Sequence, residues 1–275
     1  VTAVDMQPNG QGLRQMMITI KREGDEWMPE IDRTAEIKRE CKLEGAEIIA
    51  KIKDAGIVGM GGATFPTHVK LSIPNGCKAE YLIINGVECE PYLTCDSTTM
   101  RNRSAFIAEG VALLDKFMVG VKEFVFGIEK NKPECIEELA RVFQDNPKVT
   151  VSTLPSLYPQ GAEKMMVQSA TGRKVPPGKL PSDVGCVVIN VASVAFIARY
   201  LETGKPLVSR SITVDGSAVN EPKNIRVPIG TNIQDIIDFC GGFKSEPRKI
   251  ISGGPMMGIA LCSTDAPICK QNIAL

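Results

Sequence analysis

The sequence predicts a layered α/β domain with a mostly parallel sheet, followed by a small α+β unit of β-grasp type. Three observations carry this. Short apolar runs, "YLIIN", "EFVFGI", "KVTVSTL" and "CVVIN", alternate with stretches of helical spacing. Turn signals bound each run, as expected of strands buried on both faces. Beyond "ETGKPLVSR" the order changes to strand, strand, helix, strand within about sixty residues.

The elements follow in order. "VTAVDM" and "QGLRQMMITIKREGD" read as two strands of a hairpin cut from a β-rich unit upstream. Ala46 to Ala55 is predicted helical, with Ile48, Ile49 and Ile52 on one face and Gly56 just past its end. A glycine-rich loop follows, and Pro66 and Thr67 open a short helix. Tyr81 to Asn85 is a buried parallel strand and Ser104 to Met118 a helix. Glu123 to Ile128 is the next strand, and Ile136, Leu139, Ala140 and Phe143 make a helical stripe. "KVTVSTL" is a strand, Gly161 to Ala170 a helix, Cys186 to Asn190 a strand and Ala192 to Glu202 a helix. "SITVDG" and "NIRVPIG" form a hairpin. Ile233, Ile236, Ile237 and Cys240 mark a helix face, and "KIISGG" and "GIALC" are short strands.

Composition excludes several classes. The 275 residues are 43% hydrophobic, enough for one large core or two modest ones. Lysine plus arginine and aspartate plus glutamate both number 32, so no basic nucleic-acid surface or acidic tail is indicated. The 5% aromatic content also argues against a base-stacking platform, so no nucleic-acid partner is expected. No apolar run approaches the ~20 residues of a membrane helix, so no direct membrane insertion is expected. With no signal-like segment at Val1, the chain reads as a cytoplasmic piece. Nine cysteines are scattered without a CxxC pair, which fits small buried hydrophobes better than a disulfide framework or a metal site.

Candidate chemistry gathers at four turns. "GIVGMGGATFPTHVK", Gly56 to Lys70, holds four glycines and the only histidine. Glycine lets backbone N–H groups approach a phosphate closely, a helix from Pro66 adds its positive end, and Lys70 supplies a point charge. It is neither a Walker A loop nor a GxGxxG fingerprint, and a tight structural turn is the bland alternative. "INGVECEPY", Ile84 to Tyr92, lies at the C-terminal end of a buried strand, where open α/β sheets bind ligands. Asn85, Glu88 and Glu90 there could meet hydroxyls or a carboxamide, or be solvated loop residues. "YPQGAEK", Tyr158 to Lys164, is a third strand-to-helix turn, for which ordinary helix capping suffices when it is taken alone. Asn190 offers a fourth turn of the same geometry. His68 has no partner at metal-ligand spacing and reads as a helix-surface or packing residue.

These motifs, with "TGRKVPPGKLPSDVG", occur in one fixed order from about Glu44 to Leu261. Together they make the chain resemble the RnfC family, one component of the Rnf complexes, membrane-bound ferredoxin:NAD+ oxidoreductases. It is similar, more distantly, to the flavin-bearing NADH-oxidising subunit of respiratory complex I. The resemblance implies a Rossmann-like FMN and NADH domain over residues 44–205 and a soluble-ligand-binding (SLBB-type) β-grasp domain over 206–275. Residues 1–43 would be the tail of a lipoyl-like sandwich domain with its linker. [4Fe–4S] clusters are implied only for a ferredoxin-like C-terminal region absent here.

By resemblance, Gly59, Gly61, Gly62 and Lys70 would hold the FMN phosphate and ribityl chain. Asn85, Glu88 and Asn190 would contact polar atoms of the flavin. Phe65, Glu90, Tyr158, Gly161 and Glu163 would shape the nicotinamide-nucleotide side. No catalytic acid or base is implied, since the flavin carries the hydride chemistry. Other Rnf subunits are the implied partners, placing the protein peripherally on the inner face of the cell membrane. Against the complex I pattern, Met60 replaces an arginine, Thr64 a glycine, Val87 an aspartate, Ile73 a phenylalanine and Ala192 a glutamate. Two alternatives stand beside this: the related cobalamin reductase of bacterial microcompartments, and a non-catalytic docking module. Flavin absorbance separates the second from the first reading.

Overall fold

A computed structural model describes residues 1–9, 12–24, 26–32, 42–74 and 76–275. Cys41, part of the linker before residue 44 and the tip of the first hairpin lie outside the described residues. Two compact units emerge. One comprises Val1–Ile31, Pro91–Leu93 and Val208–Leu275; the other comprises Asp32–Glu90 and Thr94–Leu207.

The chain opens with β1 (Ala3–Pro8) and β2 (Arg14–Thr19), an antiparallel pair as expected. The larger unit then begins with α1 (Gly45–Asp54). Its N-terminal donors are satisfied by a capping box in which Glu44 N–H donates to Glu47 Oε2 at 3.0 Å. Short α2 (Thr67–Leu71) leads to β3 (Tyr81–Asn85), then α3 (Cys95–Asn102) and α4 (Ser104–Phe117). Next come β4 (Glu123–Glu129), α5 (Pro133–Val142), β5 (Val149–Leu154), α6 (Glu163–Thr171), β6 (Cys186–Asn190) and α7 (Val191–Thr203).

The four strands form one parallel sheet in the order β5-β4-β3-β6, so β3 is central and its Asn85 pairs in register with Asn190. Alternate residues of each strand face opposite sides. Leu82, Ile84, Phe124, Phe126, Val187 and Ile189 pack into one core with the buried faces of α1, α4, α5 and α7. Ile83 and Val188 face the other way and pack with Met166 and Val167 of α6. Helices on both faces explain why these strands read as continuous apolar runs. Complete burial of each large aliphatic side chain contributes about 1.5–3 kcal/mol.

The predicted elements agree with the observed ones to within a few residues, with two differences. Helix α3 is an addition to the predicted set. Its sequence, CDSTTMRN, carries little apolar periodicity, and its first N–H groups are capped by a glutamate from the β3 loop rather than locally. Helix α6 begins at Glu163 rather than Gly161, because Gly161 belongs to the turn before it.

The smaller unit contains β7 (Ser209–Val214) and β8 (Lys223–Pro228), antiparallel, then α8 (Ile233–Phe239), β9 (Ile251–Ser252) and β10 (Ile259–Ala260). Asn232 caps α8 by accepting from Gln234 N–H at 2.8 Å. Ile212, Val214, Val227, Ile233, Ile236 and Ile237 make its core. The residues after β10 return to the edge of β7, where Thr213 N–H donates to Ile273 O at 3.0 Å and Leu275 N–H to Thr213 O at 2.9 Å. The parallel sheet with helices on both faces, and this small mixed unit, realise the predicted fold class.

Candidate functional site at the C-terminal edge of the parallel sheet

The glycine loop is closed by its own backbone. Gly59 N–H donates to Phe65 O at 2.8 Å, and Val58 bridges Pro66. Gly62 adopts φ +102°, a conformation that L side chains rarely take. A Cβ on Gly61 would stand 3.4 Å from Asn190 Nδ2, so glycine lets the loop press against the end of β6. Met60 turns inward and is buried, and its N–H donates to the wholly buried Ser193 Oγ at 2.9 Å. Ser193 therefore ties the loop to the first turn of α7.

Lys70 leaves α2 and meets Glu163 at the start of α6, Nζ to Oε1 2.6 Å, while lying 5.8 Å from the centre of the Phe65 ring. Both side chains of this pair are partly exposed, at 30% and 40%. Three expected residues, Phe65, Lys70 and Glu163, are thus brought together, the last from far along the sequence.

At the end of β3, Asn85 uses both sides of its amide. It donates to Gly161 O at 2.8 Å and accepts from Val87 N–H at 3.1 Å. Gly161 N–H in turn donates to Cys89 Sγ at 3.4 Å, so the β3 and β5 turns are stitched together. Burial raises the Cys89 thiol above its ordinary pKa. Tyr158 on the same turn is raised too, by desolvation first and then by the charges of Glu90 and Cys89. Tyr158 and Glu90 therefore share one neighbourhood.

Glu88 has φ +47°, and its carboxylate caps α3, accepting from Asp96 N–H at 2.7 Å, Ser97 N–H at 3.0 Å and the Ser97 hydroxyl. Asn190 caps α7, accepting from Ala192 N–H at 2.9 Å and Ser193 N–H at 3.3 Å, and donates to Asp96 Oδ2 at 2.6 Å. A continuous line of contacts runs from Gly61 through Asn190 and Asp96 to Glu88.

Sequence reasoning missed Asp96, Ser97, Glu129, Lys132 and Ser193. Ser193 stands three residues after Asn190, a spacing that already marks the α7 cap. Lys132 stands directly before Pro133, which opens α5. A cavity of about 740 Å³ lies at the opposite edge of the sheet, bordered by Leu71, Cys77, Lys78, Phe117 and Lys122. Ile73 borders this cavity, away from the strand ends.

Residues 52–199 match the model of the Nuo51 FMN-binding domain. The chain belongs to the Nuo51 FMN-binding domain family. A match to the SLBB domain follows over residues 211–260. The chain is 51% identical over 254 residues to the C component of the proton-translocating ferredoxin:NAD(+) oxidoreductase complex of Clostridium ljungdahlii, covering 92% of this chain and 54% of that protein. It is 44% identical over 271 residues to the Na(+)-translocating counterpart of Acetobacterium woodii, covering 98% of this chain and 60% of that one. The chain thus spans little more than half the length of these curated relatives. Among solved structures, an NAD+-reducing [NiFe]-hydrogenase in the H2-reduced state matches with a TM-score of 0.68 at 20% identity, over 84% of this chain and 46% of that one. This likeness shows the fold. The Nuo51 match runs from the last turn of α1 through most of α7, and takes in all four strands of the parallel sheet. No helix among the described residues is long and apolar enough to cross a membrane.

Proposed function

We propose that this chain is the NADH-side, flavin-binding electron-transfer module of an Rnf-type ferredoxin:NAD+ oxidoreductase. The observation that carries the reading is the convergence of a closed glycine loop, Lys70 and the β3 and β6 strand ends at one sheet edge, within a chain of an FMN-binding family. A backbone cradle beside a lysine suits a phosphate ester, and the strand ends suit a planar ring with polar edges.

FMN, when bound, supplies hydride exchange with a nicotinamide and release of electrons one at a time. The chain's residues bind and orient. Gly59, Gly61, Gly62 and Lys70 would hold the phosphate and ribityl chain. Asn85, Glu88 and Asn190 would line the flavin, mainly by fixing the loops around it. Phe65, Glu90, Tyr158, Gly161 and Glu163 would form the nicotinamide-nucleotide side. Residues 44–205 would be the nucleotide module, 206–275 the SLBB unit and 1–43 a separate β-rich element with a linker. The electrons would continue to [4Fe–4S] clusters outside these residues, and other Rnf subunits would hold the protein to the inner face of the membrane. The names and matched lengths of the relatives support this assignment.

FMN titration by fluorescence quenching, then anaerobic NADH addition, tests it. Saturable quenching followed by flavin bleaching is expected. Absence of quenching by folded protein would refute the FMN assignment, and binding without bleaching would refute the NADH side.

A further inference from the structure

We infer that Lys132, backed by Glu129, is a positioning residue that turns the Glu88 backbone N–H toward a hydrogen-bond-accepting edge of the flavin. The inference rests on the FMN reading above and adds the group that recognises the ring.

Lys132 is the residue before α5, and Glu129 ends β4. Their side chains are 11% and 5% exposed, and Nζ stands 3.1 Å from Glu129 Oε2. The ammonium does not stop at its counter-ion. It also donates to Val87 O at 2.8 Å, Glu88 O at 3.3 Å and Asn131 Oδ1 at 3.3 Å. A buried ion pair adds little net stability over an apolar pair, so stability does not account for this one. Its distinctive feature is its grip on two consecutive carbonyls of the β3 loop.

That grip has a geometric consequence. In a planar trans peptide the C=O and N–H point in opposite directions. With Val87 O fixed on Lys132, the Glu88 N–H of the same peptide unit points away from Lys132. The Glu88 side chain is already committed to the N-terminus of α3. Glu88 also holds a left-handed φ of +47°, and such a conformation persists only where its surroundings fix it. Lys132 fixes it from the carbonyl side and α3 from the side chain. Among the described residues the Glu88 N–H meets no acceptor. The ligand-facing group here is therefore a backbone donor with a largely covered ammonium behind its peptide, and it fits a carbonyl or ring nitrogen that gains negative charge on reduction.

The test replaces the pair together, Lys132→Met with Glu129→Leu, so that no charge is buried alone. A melting curve close to wild type establishes folding. The expected result is FMN binding weakened about tenfold, the worth of one hydrogen bond to a charged or polarised acceptor, and a flavin midpoint potential shifted negative. Wild-type affinity and potential in the folded double variant would overturn the inference while leaving the FMN reading intact. A wild-type protein that fails to bind FMN would overturn both. Amide hydrogen exchange on the wild type is independent of how the variant folds. The Glu88 amide should become protected at saturating FMN, and an amide that exchanges equally with and without FMN would overturn the inference.

Discussion

Replacing Glu163 by glutamine should tighten FMN binding, although the sequence makes Glu163 look like a ligand. Glu163 and Lys70 form an ion pair at 2.6 Å with both side chains partly exposed. A pair in that setting is worth at most about 1 kcal/mol. If Lys70 serves the phosphate, bound FMN must compete with the Glu163 carboxylate for it. Removing the carboxylate returns that cost to binding, a tightening of up to about fivefold. Lys70→Ala should weaken binding, and Lys70→Ala with Glu163→Gln should bind like Lys70→Ala alone, because the carboxylate then has no cation to occupy. The assay is flavin fluorescence quenching for all four proteins at two salt concentrations, with the Glu163→Gln advantage shrinking at high salt. Weakened binding in Glu163→Gln, or an equal gain in the Lys70→Ala background, would refute the competition.

Three further outcomes follow from the geometry. Gly62→Ala forces a side chain into φ +102° and should cost about 1–2 kcal/mol of stability and also weaken FMN binding; unchanged denaturation and titration curves would remove the loop from the site. Ser193→Ala removes the buried bond from Met60 N–H to Ser193 Oγ and should cost about 1 kcal/mol in a denaturant melt, with no loss expected if the loop is anchored elsewhere. Lys122 first, and then Arg173, hold the Glu80 carboxyl down at about 2. That is below its unfolded value of roughly 4.3, so its stabilisation is present above about pH 4.3 and is lost as pH falls through about 2. The gap in denaturation midpoint between wild type and Glu80→Gln should therefore close across that window, and a gap that persists at pH 2 would contradict it.

The parallel sheet is legible in sequence because each strand is buried on both faces and announces itself as an unbroken apolar run. The glycine loop is legible for a related reason: Gly62 needs a conformation that other residues avoid, so the need is written in composition. The connections between loops are not legible. That Asn190 reaches Asp96 across 94 residues is a consequence of the register Asn85 to Asn190 across β3 and β6. No local pattern encodes that register. Lys132 and Glu129 escape notice because a lysine three residues from a glutamate before a proline looks like a solvated helix start. Only the fold reveals that Glu129 is buried and that little of the Lys132 side chain reaches solvent.

The same register bears on which atoms recognise a ligand. Asn85 spends its amide on Gly161 and Val87, Glu88 its carboxylate on α3, and Asn190 its amide on α7 and Asp96. Polar side chains that look like ligand contacts in sequence thus act as struts between turns. On the proposed reading, recognition would then fall to backbone N–H groups held by those struts, and to Lys70. Such a site is stiff, because moving one donor would break a side-chain bond elsewhere. It also fits a cofactor that brings its own chemistry, since orientation and a fixed electrostatic field are then what the protein must supply.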